Sequence, residues 1–138
     1  MAVIKDFCDS SILGYAMSWN FSINMVLWAL KSAIASSPAV QGVVLQSDQG
    51  FQYQSAAYHS LVSEYGIIPS MSRKGNCLDN APTENFFSHL KEELLRHIRI
   101  KDFQEAVQIV EDYIHFFNHD RIQLKTKLTP IEFRRQFV

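Results

Sequence analysis

Cysteine, sorting signals, long apolar runs and early positive charge are all scarce in this chain of 138 residues. The two cysteines, Cys8 and Cys77, have no partner spacing, which excludes a disulfide framework and a cysteine zinc site. The five histidines are scattered; His115 and His119 bring no flanking ligand set and read as core or surface residues. No stretch is long enough to span a membrane. Met1–Asp6 has neither the apolar region nor the cleavage site of a signal peptide, so a reducing cytoplasm is the expected location. Through residue 70 the only basic residues are Lys5 and Lys31. Repeats, low-complexity tracts and interdomain linkers are also missing.

What is present suffices for one domain over residues 1–138, with 47% apolar residues for a core. The net charge of −1 hides an asymmetry. Eleven of the 13 basic residues follow residue 70, and Arg121, Lys125, Lys127, Arg134 and Arg135 face only Glu132 within 121–138. Such an end is either a solvated surface or a phosphate-contacting one.

The chain reads as an α/β alternation. Ala2–Lys5 and Ile12–Ser18 read as strands of a hairpin. Ser22 caps a helix to about Ala35. Val43–Leu45 reads as a strand buried on both faces. Ser55 opens a helix that buries Tyr58, Leu61, Val62 and Tyr65 and stops at Gly66. Ile67–Ile68 is a short strand, and 71–80 a polar loop. Pro82 starts a helix to about Ile98 with Phe86, Leu90 and Leu94 inward. Asp102 and Glu105 form a capping box before a stripe of Phe103, Val107, Val110, Ile114 and Phe117. Thr129-Pro130-Ile131-Glu132 starts a short terminal helix. This order suits a mixed sheet with helices on both faces.

Two acids stand out. Asp48 lies just beyond an apolar strand, in Ser47-Asp48-Gln49-Gly50 with Tyr53; Glu84 lies in the first turn of a helix. Taken singly, a turn aspartate and a dipole-stabilised glutamate explain them. Taken together, they are hard oxygen ligands at element ends, the type that metal-assisted phosphoryl transfer requires. Around them run Ser70-Met71-Ser72-Arg73-Lys74-Gly75-Asn76, Asp79-Asn80-Ala81, Glu84-Asn85-Phe86-Phe87 and Leu90-Lys91. Tyr113-Ile114, Phe117-Asn118, Arg121 and Leu128-Thr129-Pro130-Ile131-Glu132-Phe133 follow. Over nearly its whole length the chain resembles the catalytic region of DDE transposases, in particular the insertion-sequence-three family related to retroviral integrases.

The resemblance implies a ribonuclease H-like fold and a metal-dependent polynucleotidyl transferase that cleaves and joins DNA in transposition. It also implies association with the nucleoid. In that family three carboxylates hold two Mg²⁺ or Mn²⁺ ions. Asp48 matches the second acid and Glu84 the third. Arg73, Lys74, Gly75 and Asn76 match a loop beside the site. With Lys91, Arg121, Lys125 and Lys127, they are the expected DNA contacts, while Asp79 and Asn80 read as turn and cap residues.

No residue matches the family's first Asp. Asp6 and Asp9 are not expected to replace it. The expectation is therefore an N-terminally truncated core whose first central strand is missing, inactive alone. Its partners would be transposon and target DNA, and either further copies of itself or the missing part of the transposase. The alternatives are a non-catalytic DNA-binding or oligomerisation remnant and, with least support, an acid–base hydrolase.

Overall fold

The computed structural model describes residues 1–72 and 81–137. The chain divides into two compact units, Met1–Ile4 with Leu13–Thr83, and Lys5–Ile12 with Glu84–Val138.

The first unit opens with β1 (Ala2–Lys5), which pairs with β2 (Ile12–Ala16). Their connection is too short for a parallel crossover, so the pair is a hairpin. In α1 (Ile23–Ser36), Ser22 is the N-cap, its hydroxyl accepting from the Met25 amide. Met25, Val26, Ala29, Leu30, Ala33 and Ile34 recur at helical spacing and are buried. Gly14 of β2 lies directly on the α1 backbone; a Cβ there would sit 2.4 Å from the Ala29 carbonyl oxygen. The rest of this core comes from Tyr58, Leu61, Val62 and Ile67.

Next come β3 (Val44–Ser47), a 3₁₀ turn (Phe51–Gln54), α2 (Ala56–Glu64) and β4 (Ile68–Met71). β3 and β4 are parallel, Val44 opposite Ile68 through Ser47 opposite Met71, with α2 as the crossover that parallel pairing requires. Ser55 caps α2, and Gly66 takes the left-handed conformation (φ +67°) beyond its end. Tyr65, expected inside, is 40% exposed, because the helix ends at Glu64 and Tyr65 leaves the buried face.

The sequence predicts Val43–Leu45 buried on both faces. Instead Val43 and Val44 are 48% and 60% exposed. β3 has only β4 as a neighbour; β1–β2 forms a sheet of its own, so among the described residues the expected mixed sheet is two strand pairs.

The second unit is built on α3 (Ala81–Leu90, from Glu84 onward), which runs into a π-helical turn (Lys91–Leu95). A π turn shifts the helical phase, so Phe86 and Leu90 are buried while Leu94 is only half-buried, and the helix stops short of Ile98. Asp102 caps α4 (Phe103–His119) through the Glu105 amide (2.8 Å). The Glu105 carboxylate accepts from the Lys101 amide, so the expected reciprocal box is only half formed. Val110, Tyr113, Ile114 and Phe117 are buried. Tyr113 and Phe117 pack on Phe86, whose ring meets Phe117 edge-on at 5.1 Å. α5 (Pro130–Arg135) has the full capping box of Thr129 and Glu132, with Pro130 in its first turn.

The 6–11 loop belongs to this unit. The Asn118 side-chain amide exchanges two hydrogen bonds with the Ile12 backbone (2.8 and 3.0 Å). Gln123 donates to the Asp9 carbonyl oxygen. Arg134 from α5 reaches Asp9 through Nε, and Asp6 and the Ser11 hydroxyl through Nη2. No helix among the described residues is long and apolar enough to cross a membrane.

Candidate metal and nucleic-acid site

β3 ends at Ser47, which delivers Asp48 at the strand's C-terminal end with its side chain exposed. Ser47 is buried, and its hydroxyl donates to the Asp48 carbonyl oxygen (3.0 Å). The Asp48 Oδ1 accepts the Gly50 amide at 2.7 Å, an Asx turn that fixes the carboxylate. A side chain at residue 50 would come within 2.9 Å of Asp48 Oδ1 and 2.8 Å of Gln52 Oε1, so glycine is what lets the turn close. Gln49 Nε2 anchors the turn to the Ser72 carbonyl oxygen, just past β4. Asp48 Oδ2 has no hydrogen-bond partner among the described residues, which leaves a hard oxygen available to a cation. Burial pushes the Tyr53 phenol up to about 12, and the Asp48 charge adds to that shift.

In the second unit, Glu84 is exposed in the first turn of α3, where the helix dipole favours a carboxylate. Lys91 is exposed one residue past the end of α3. Lys125 and Lys127 are exposed in the turn after α4. Lys127 has φ +61°, in the left-handed region, and its amide donates to the Gln123 carbonyl oxygen.

Arg121 is differently placed. Its Nε and Nη2 both donate to Glu93 (2.7–3.1 Å), its guanidinium lies 5.6 Å from the Phe117 ring centroid, and its side chain is only 22% exposed. Tyr113 donates to the same carboxylate at 2.8 Å. The Arg121 hydrogen bonds hold Glu93 below the ordinary carboxylate range. Burial, then the neighbouring carboxylate, raises the Tyr113 phenol. Burial, then the Arg121 charge, lowers His89.

Arg73, Lys74, Asn76, Asp79 and Asn80 lie outside the described residues. Asp6 and Asp9 are both ion-paired to Arg134, and Asp9 is buried. Among the described residues, no group of three or more His, Cys, Asp or Glu side chains is arranged to hold a metal ion. Sequence reasoning missed the Glu93–Arg121–Tyr113 network, the Arg134 clamp and the role of Asn118. Their partners lie 20 to 128 residues apart, with no local pattern to announce them.

Two integrase core domain profiles match the chain, over residues 1–77 and 84–138. A transposase-like protein of Haemophilus influenzae is 38% identical over 99% of this chain and 63% of its own length. A candidate transposase of Escherichia coli, InsK for insertion sequence element IS150, is 40% identical over 99% of this chain and 48% of its own. The chain thus spans less than two thirds of either relative. The HTLV-2 integrase catalytic core domain, solved in complex with magnesium, superposes with a TM-score of 0.71 at 12% identity, covering 95% of this chain and 81% of that one. That likeness establishes the fold as the ribonuclease H-like α/β fold of integrase cores. The strand-end acid, the first-turn glutamate and the profile matches agree: the chain belongs to the integrase core domain family.

Proposed function

We propose that residues 1–138 are part of the catalytic core of a transposase that cleaves and joins DNA, with Asp48 and Glu84 as two ligands of its Mg²⁺ or Mn²⁺ site. The observation that carries this reading is Asp48, held at the end of β3 by its Asx turn with one oxygen uncommitted among the described residues. The all-oxygen donor set suits a hard cation. Bound there, such an ion would supply activation of an attacking oxygen and charge stabilisation of the leaving one. The chain's own residues fix the carboxylates and bind the DNA backbone. Arg73, Lys74, Asn76, Lys91, Lys125 and Lys127 are the proposed contacts, binding without sequence preference and releasing at moderate salt. Arg121, its charge already matched by Glu93, contributes less.

The third carboxylate of the family site comes, in this reading, from outside residues 1–138, on a strand that joins β1–β2 to β3–β4. The separate strand pairs and the exposed Val43 and Val44 support it. Further copies of the chain, or the rest of the transposase, are the proposed protein partners. The second reading, a non-catalytic DNA-binding remnant, rests on the absence, among the described residues, of three side chains grouped to hold a metal ion.

A strand-nicking assay with Mn²⁺ separates them. The chain alone leaves DNA intact. A polypeptide in which an apolar strand carrying an Asp precedes Met1 nicks it, and Glu84→Gln in that polypeptide does not. Nicking by the chain alone, lost in Asp48→Asn, would contradict the assignment of the third acid; an inactive extended polypeptide would favour the remnant.

A further inference from the structure

On α4, His115 and His119 stand one helical turn apart, both exposed. Their rings are stacked, with centroids 4.4 Å apart and planes inclined by 26°. We propose that His115 and His119 form a bidentate site for a borderline transition-metal ion, Zn²⁺, Ni²⁺ or Cu²⁺, independent of Asp48 and Glu84.

Residues four apart on a helix face one another, and two imidazoles so placed can reach one ion. The stacked rings already occupy one small region of surface. Turning them about exposed side-chain torsions brings a nitrogen of each onto a common ion. The backbone spacing is fixed in advance, because the opposite side of this segment is buried through Ile114, Phe117 and Asn118. A preformed spacing lowers the ordering cost of binding. The charge environment is also favourable. α4 contains no Lys or Arg, and Glu111, an exposed acid, lies one turn before His115. Water fills the remaining positions of a tetrahedral or square shell, since no third protein ligand joins the pair among the described residues.

Ligand chemistry separates this site from the carboxylate one. Imidazole nitrogen favours Cu²⁺, Ni²⁺ and Zn²⁺, whereas Mg²⁺ and Mn²⁺ prefer oxygen. Binding also requires neutral imidazoles, so it weakens in acid. The sequence shows the spacing but not that both rings share one exposed surface.

The test is titration of the tag-free chain with Zn²⁺ in excess Mg²⁺, by calorimetry and by thermal melting. The expected result is one ion per chain and a melting temperature that rises with Zn²⁺. Each of His115→Gln and His119→Gln weakens binding roughly a hundredfold, the loss expected when one of two linked contacts goes. Both positions are exposed, so the variants keep the wild-type melting temperature without metal. Zn²⁺ binding that survives the double variant, a stoichiometry of half an ion per chain, or no heat and no shift at millimolar Zn²⁺ would each overturn the proposal.

Discussion

Arg134→Ala should destabilise the second unit by about 2–3 kcal/mol. This guanidinium donates three side-chain hydrogen bonds, to Asp9, Asp6 and Ser11. The Asp9 side chain is 5% exposed, and among the described residues its carboxylate otherwise accepts from the Ser11 amide at Oδ1. Removing one partner of a buried pair strands the other charge, at a cost of about 3–5 kcal/mol for full burial. The Arg134 side chain is 28% exposed, so water enters the gap and reduces that figure. For a chain of this size the change lowers the melting temperature by roughly 5–10 °C. Arg134→Lys recovers only part of it, because an ammonium cannot reproduce a fork that reaches three groups. Urea unfolding of Arg134→Ala, Asp9→Asn and the double variant gives the coupling between them. The double variant should be less destabilised than the sum of the singles. A loss below about 0.5 kcal/mol, the scale of ordinary surface changes, would refute the reasoning.

Gly14→Ala should cost about 3 kcal/mol in urea unfolding, since its Cβ meets α1 backbone rather than a movable side chain; a neutral result would mean β2 does not lie on α1. Lys127→Gly should preserve stability, because glycine accepts the left-handed turn, while lowering DNA affinity and reducing the salt slope by about one in a binding assay. Glu93 and His89 both have folded pKa values below the ordinary 4.5 and 6.5. Their contributions are therefore present above those values and lost as pH falls through the folded ones. The urea midpoint should decline on acidification from pH 7, and Glu93→Gln should remove the part of the decline below about 4.5.

Much of this fold was legible because its signals are local. The caps at Ser22, Ser55 and Thr129, the left-handed Gly66 and the apolar faces of α1 and α4 each depend on residues within a few positions. The placing of Asp48 just past a strand end and of Glu84 in a first helical turn was legible for the same reason. The errors came where neighbours distant in sequence decide. Val43 and Val44 read as buried, but a strand's burial depends on its neighbours, and among the described residues β3 has one partner. Leu94 read as core until the π turn moved it out of phase. Arg121 read as a free cation because Glu93 lies 28 residues away in sequence. Asn118 stood in a family-like string with no visible role; the structure gives it the loop at Ile12 to hold.

The most direct test of the central claim is Mn²⁺ binding, followed by the electron paramagnetic resonance of the free ion, in the wild-type chain, Asp48→Asn, Glu84→Gln and the double variant. If the two carboxylates share one ion, a single weak site is present, since two acids leave most of the shell to water. Either substitution then removes as much binding as both together, while His115→Gln changes nothing. Mn²⁺ affinity that is unchanged by both substitutions, or losses that add as for two separate sites, would contradict the account.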